Sequence, residues 1–506
     1  MTPLQPKLQQ KPGRWTDMKH FITFILCISF LLPGCMVGPD YEQPMVESPG
    51  AWRITPKEAA DTANTAWWEQ FRDPVLNGLI NTALLENKDI RIAAARMEQF
   101  IAQVEITRSG LYPQLGYSIL GSRDQASENI LPPGVESLTE TWQATLNVGW
   151  ELDVWGRLRR ATEAAQAELL AAEEGRRTVI LSLVSSVATG YASLRGLDAQ
   201  LEIAKNTVKS RKESLDLFNL QYEGGVISEI TLAQVLSEYE QAVAAVPEIE
   251  RQISQTENVL SILLGRNPGA IARGLAIDKL TLAPIPAGIP SDILTRRPDI
   301  LQAEQNLIAA NARIGVARAE YFPRISLTGL LGLASGDLSD LLESDSKVWS
   351  IGGDALGSIF TGGRITAGVK QSEAFYKELL YSYQQSILTA FREVDDALVA
   401  TQKAREKLQA QERRVKALGN YASLARLRYD NGYSSYIEVL DAERSLFDSE
   451  LNAIRTQSDV IVGMINTYKA MGGGWIALAE EMANTVDFPP EENDNSETES
   501  TENSQK

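Results

Sequence analysis

The residues able to do chemistry are few, and their placement removes most reaction classes. The 506-residue chain holds one histidine, His20, and two cysteines, Cys27 and Cys35. His20 and Cys27 fall within the first 34 residues, where Lys7, Lys11, Arg14 and Lys19 precede the apolar run Phe21–Leu32. That run is too short for a permanent membrane helix and reads as the core of a secretory signal, removed on export. What remains has no imidazole to serve a nucleophilic serine or cysteine and no His or Cys set to hold a metal. A single cysteine also permits no intrachain disulfide. No glycine loop has phosphate-cradling spacing. Carboxylate-only chemistry survives as a class, but no paired acids in a cleft follow from the spacing. The chain is therefore read as a non-enzyme, with no catalytic residue and no metal.

Cys35 has a different use. Leu32-Pro-Gly-Cys35 resembles a bacterial lipobox, so Cys35 is expected to carry diacylglycerol and an N-palmitoyl group, with the membrane lipid as partner. Met36 follows it, where aspartate would favour retention at the inner membrane, so sorting to the outer membrane is expected. Formal charge is −18 overall. Residues 1–34 carry four cations against Asp17, which leaves about −21 for the rest. So acidic a surface repels nucleic acid and suits cations or neutral solutes.

The elements that must position any site come in two copies. Asp89/Asp299, Arg108/Arg318, Tyr112/Phe322 and Pro113/Pro323 recur at an offset of 210; Gly156/Gly363, Arg157/Arg364, Tyr222/Tyr429, Gly225/Gly432 and Ser228/Ser435 recur at 207. A unit of about 200 residues is duplicated. In each copy a helical stretch gives way to period-2 alternation. From Thr141 onward Trp142, Ala144, Leu146, Val148, Trp150 and Leu152 share one face, opposite Gln143, Thr145, Asn147 and Glu151. Run Pro113–Ser122 supplies the partner strand. With Trp142 and Trp150 at the ends of the apolar face, the pattern predicts a membrane hairpin with an aromatic girdle. A soluble hairpin over a core is the alternative. The second copy offers Arg324–Leu333 and Val348–Leu356 with weaker alternation. Four strands cannot close around a pore, so strands in lipid would have to be shared between chains.

Long helices follow the hairpins. Arg157–Tyr222 contains no proline, and Leu194, Leu201, Val208, Leu215 and Tyr222 recur every seven residues. Leu408, Val415, Ala422 and Tyr429 repeat the phase. That is coiled-coil spacing. Glycine turns at Gly224-Gly225 and Asn431-Gly432 end these helices and begin return helices, the first carrying Pro247, where a kink is expected. The predicted organisation is a signal over 1–34, an extended arm over 35–74, a first repeat over 75–290 and a second over 291–475. The first repeat holds a β-hairpin at 113–153 and a helical hairpin at 157–264; the second holds them at 324–356 and 364–470. An acidic disordered tail is expected over 476–506.

Taken in order, several stretches resemble the outer-membrane efflux factors, the TolC/OprM-like proteins, and among them the lipoprotein branch that serves resistance-nodulation-division pumps. They are Gly34–Tyr41, Trp67-Trp68, Glu151–Arg157, Arg296-Arg-Pro-Asp299, Phe322–Leu327 and the segment from Gly432 to Val439-Leu-Asp-Ala-Glu443. The resemblance implies a homotrimer: twelve strands, four per chain, form an outer-membrane β-barrel continued by a long periplasmic α-helical coiled-coil barrel. It implies a periplasmic gate at positions matching Tyr429, Glu438, Asp441 and Arg444. Asp441 and Arg444 lie on one helical face, each able to pair with a neighbouring chain, and Glu438 and Asp441 would form acidic rings. The tips around Gly224, Gly225, Ser228, Gly432, Ser434 and Ser435 would dock a periplasmic adaptor (membrane fusion) protein that links to the inner-membrane pump. Ser434 stands where some members have arginine. The implied activity is a passive exit duct for small molecules, drugs or other toxic compounds among them. A type I protein-secretion duct and a non-conducting structural envelope lipoprotein are the alternatives.

Overall fold

The structure, a computed structural model, describes residues 36–46, 48–50, 52–53, 66–132, 134, 136–280, 290–472 and 475–484. The expected signal, Cys35 and residues 485–506 lie outside that set. The chain is mainly helical with one small sheet. Its elements are α1 (Pro74–Glu86), α2 (Lys88–Ser109), β1 (Gln114–Gln125), β2 (Leu138–Leu152), α3 (Arg157–Glu223) and α4 (Glu229–Leu263). Then come α5 (Pro298–Ala319), β3 (Arg324–Ser335), β4 (Lys347–Leu356), α6 (Arg364–Asp430), α7 (Tyr436–Ala470) and α8 (Trp475–Asn484). The duplication reaches element lengths. Helices α3 and α6 have 67 residues each, α4 and α7 have 35, and α2 and α5 have 22.

Two compact units emerge. One comprises the arm up to Pro44 with Gln99–Leu170 and Gln305–Tyr381. It holds an antiparallel sheet in the order β1-β2-β3-β4. Gln114 pairs with Gly149 in the first hairpin and Arg324 with Leu356 in the second. Those pairs differ by 210 and 207, the offsets of the sequence repeat, so the two hairpins share one register. Between them β2 pairs with β3, Leu152 opposite Ile325 through Trp142 opposite Ser335, joining the copies edge to edge.

The same unit clamps the arm. Val37 N–H donates to the Trp155 carbonyl at 3.1 Å, and the Asn311 amide donates to Pro39 O at 2.9 Å. Arg160, 2% exposed, pairs with Asp40 at 2.6 Å and Glu163 at 2.8 Å. Two glycines make room for the close approach: a Cβ on Gly156 would stand 2.6 Å from Met36, and one on Gly315 would stand 2.7 Å from the Val37 carbonyl.

The other unit comprises Met45–Glu98, Ala171–Glu304 and the chain from Ser382. Its core gathers Trp67, Trp68, Phe71, Tyr468 and Trp475, with Trp67 stacked on Tyr468 at 5.2 Å between ring centroids. Asp73 is fully buried below them. Its carboxylate accepts from Tyr191 Oη at 2.7 Å and from the backbone N–H groups of Val75 and Leu275 at 2.9 Å each. That fastens the Pro-rich stretch joining the copies. Helix α4 carries Pro247 without ending there.

One boundary needs correction. The acidic tail does not begin at 476, because α8 continues to Asn484 with Trp475, Ile476 and Ala479 buried. Apolar residues at helical spacing outweigh the acids here, and Glu480 finds Arg176 at 2.7 Å.

Candidate functional site

Each helical hairpin turns on one left-handed glycine. At the first tip Gly225 has φ +71°, its N–H donates to Tyr222 O at 2.9 Å, and Val226 N–H reaches back to Gln221 O at 2.8 Å. At the second Gly432 has φ +76°, with Gly432 N–H to Tyr429 O and Tyr433 N–H to Arg428 O, both at 2.8 Å. Both satisfy the last helical carbonyls in the paired pattern that favours glycine. Ser228 and Ser435 then start the return helices; Ser228 Oγ accepts from Thr231 N–H, while Ser435 makes no such bond. Val226, Ile230, Tyr433 and Ile437, matched in pairs by the 207 offset, are exposed at the tips. Ser434 Oγ is enclosed there with no protein partner.

Above the turns the two hairpins pack through an aromatic cluster. Phe218, fully buried, meets Tyr436 at 4.1 Å between centroids, and Tyr429 meets Tyr436 at 4.9 Å. The heptad position Tyr429 thereby becomes part of the hairpin core, alongside Leu215, Val235 and Val439. Tyr222, its counterpart, is exposed.

The predicted gate charges are engaged within the chain. Arg444 donates to Asp441 at 3.0 Å, one turn away, and lies 3.9 Å from Glu238. Glu438 accepts from Arg428 at 3.1 Å. Glu438, Asp441 and Arg444 line one groove of about 540 Å³ with Glu238, Tyr421 and Gln234. Deeper, Arg211 lies 5% exposed, 3.2 Å from the Glu238 carboxylate, with its guanidinium 5.4 Å from the Phe447 ring. Burial pulls the Arg211 pKa down and pushes the Glu443 carboxyl up, against the pull of Arg426 and Arg211. Arg428, Glu238 and Arg211 were not singled out by sequence. The 207 offset points to none of them, since it pairs Arg428 with Gln221, Glu238 with Ser445 and Arg211 with Leu418.

The sheet presents one apolar face to solvent. Leu115, Tyr117 and Ile119 on β1 are 76–80% exposed, and Leu331, Trp349 and Ile351 are 62%, 72% and 84% exposed. Cross-strand pairs Tyr117–Leu146, Leu146–Leu331 and Leu331–Trp349 run in one rank across all four strands. The opposite face carries Ser118, Thr145, Asn147, Ser326 and Asp354 at alternating positions. Trp142 lies over Gly121, where a Cβ would come within 2.5 Å of its ring; Trp150 is 38% exposed and donates Nε1–H to Leu111 O at 3.0 Å. Trp349 is the repeat of Trp142 at offset 207, and that offset would have found it. Trp150 maps to Gly357, so the tryptophan at that end belongs to one copy. Cys35 lies outside the described residues, next to Met36, which is held against Gly156.

Comparison with known proteins adds four findings. A family described as "Outer membrane efflux protein" matches residues 79–266 and 289–473, one match to each copy. The toluene efflux pump outer membrane protein TtgC of Pseudomonas putida is 37% identical over 455 residues, covering 88% of this chain and 94% of that one. The cation efflux system protein CusC of Escherichia coli is 36% identical over 455 residues, covering 89% and 98%. Among solved structures, the CmeC outer membrane channel of Campylobacter jejuni superposes with a TM-score of 0.82 at 28% identity, covering 90% of this chain and 99% of that one.

Proposed function

The chain belongs to the outer membrane efflux protein family, and from that premise we propose that it is the outer-membrane duct of a tripartite efflux system. It is a passive exit for small molecules delivered by an inner-membrane resistance-nodulation-division pump through a periplasmic adaptor. The observation that carries this reading is the sheet. Its four strands expose an apolar face, and β1 and β4 are each paired along one edge only. Unpaired backbone groups are too costly in hydrocarbon for an open edge to face lipid, so the edges must meet other copies. Three chains supply twelve strands, more than side chains alone would fill, so the barrel encloses a lumen. No catalytic step is required, and the driving force lies with the pump.

Cargo is a separate matter from scaffold. Relatives named for toluene and for cations match this chain almost equally well, so pump and adaptor set most of the selectivity. The exposed tip residues Val226, Ile230, Tyr433 and Ile437 are the docking surface for the adaptor. The clamp on residues 36–40 supports a role for lipidated Cys35: acyl chains there would be tethered one residue from a segment bolted to the sheet-bearing unit.

Single-channel recording in planar bilayers tests the duct and its gate together. The unmodified protein should give small conductance steps, and an Asp441→Ala/Arg444→Ala variant should give steps several times larger. Free conduction by both would move the gate elsewhere. Silence from folded samples of both would overturn the duct in favour of an envelope scaffold.

A further inference from the structure

We infer that β4 of one chain pairs with β1 of the next in a register set by the chain's own β2–β3 junction, with Ala355 opposite Ile119 of the partner subunit. This rests on the closed-barrel reading above. The duplicated hairpins share one internal register, so β2 is the template for β4 and β3 the template for β1. Shifting β2 by 207 and β3 by 210 turns the pair Val148–Gly329 into Ala355 and the partner subunit's Ile119. It turns Leu146–Leu331 into Gly353 and the partner subunit's Gly121. Leu152–Ile325 becomes Ile359 and the partner subunit's Leu115. Every pair so generated keeps apolar face with apolar face, as it must, because a slip of one residue would invert a whole strand.

Two further observations fit this seam. Strand β2 runs to Leu152, whose counterpart is Ile359, yet β4 stops at Leu356. The three missing residues are the counterparts of Trp150, Glu151 and Leu152, which hold their strand geometry by pairing with Leu327, Ser326 and Ile325. At the seam they would pair with the partner subunit's Tyr117, Gly116 and Leu115, and β4 would lengthen to Ile359. The edge residues brought face to face are also apolar: Ile359, 105% exposed, opposes Leu115 of the partner subunit, 76% exposed, and Ala355 opposes Ile119 of the partner subunit, 78% exposed. The copy of the Trp155–Phe322 stack (4.7 Å) is absent, since Trp155 maps to Gly362, so strand pairing and these aliphatic contacts carry the seam.

Paired cysteines read the register directly. Opposed residues across antiparallel strands lie within disulfide reach, and those two positions away do not. Oxidation of an Ala355→Cys/Ile119→Cys variant should give reducible covalent oligomers. Ala355→Cys/Tyr117→Cys and Ile359→Cys/Tyr117→Cys, shifted by two residues in opposite directions, should give roughly tenfold less. A second in-register pair, Asp354→Cys/Leu120→Cys, guards against one variant failing to fold, and native mass of the reduced proteins reports assembly. Preferential cross-linking of a shifted pair within an intact trimer would overturn the register and leave the closed barrel standing. A folded monomer in native mass, uncross-linked at every pair, would overturn both.

Discussion

Glu443 sits in surroundings that oppose its charge. Burial at the second tip raises its pKa, and the cations Arg426 and Arg211 offset that only in part. An acid whose pKa is raised on folding loses stability as pH climbs from the ordinary glutamate range through the raised value. Glu443→Gln should therefore raise the melting temperature at about pH 7.5 and change it little at about pH 4, where the carboxyl is protonated in the folded chain. A lower melting temperature at neutral pH would mean that attraction from Arg211 and Arg426 outweighs desolvation. Asp73 matters through its hydrogen bonds. Its buried carboxylate accepts from Tyr191, Val75 and Leu275, and each donor orphaned by Asp73→Ala costs about 1–3 kcal/mol. A loss of more than about 3 kcal/mol in denaturant titration is expected. A near-neutral result would mean that the Tyr191 hydroxyl and the backbone donors find other acceptors.

At the scale of elements, the tips depend on left-handed backbone. Gly432 with φ +76° ends α6, and a Cβ there costs about 1 kcal/mol. Nothing lies within 4 Å of where that Cβ would stand, so the penalty is backbone strain alone. Gly432→Ala should speed amide exchange around 428–437 roughly fivefold while leaving β1–β4 unchanged; unchanged exchange at the tip would show that the turn relaxes without strain. The glycine, the heptads and the strand alternation were legible in sequence because each obeys a local periodic rule, and duplication displayed each rule twice. The β2–β3 junction was not legible, since alternation and the short connections pair strands within each copy and say nothing of pairing between copies. Nor were the partners of the gate. Asp441 and Arg444 share a face at spacing three, which permits pairing between chains or within one, and it is the packing of the two hairpins that sets Arg444 against Asp441 and Glu238. Helix α8 was missed because Glu480-Glu481 and the acidic stretch beyond them masked the spacing of Trp475, Ile476 and Ala479.

The whole molecule is acidic, and its predicted gate repeats that sign. Formal charge is −18, and Glu438, Asp441 and Glu238 line one groove at the second tip. Arg444 and Arg428 neutralise part of that charge within each chain. Around a threefold axis each unneutralised carboxylate would count three times, and in a narrow low-dielectric passage such rings raise local cation concentration. The open duct should thus prefer cations. In a gradient of potassium chloride the reversal potential should lie toward the potassium equilibrium value. Asp441→Asn should move it toward zero and Arg444→Ala away from zero, because removing the arginine bares Asp441. The preference should shrink as salt rises and screening shortens to a few ångströms. An anion-selective pore, or one indifferent to both substitutions, would place the narrowest charged ring away from the second hairpin. The size of the Arg444→Ala shift then measures how much of the acidic ring its own chain conceals.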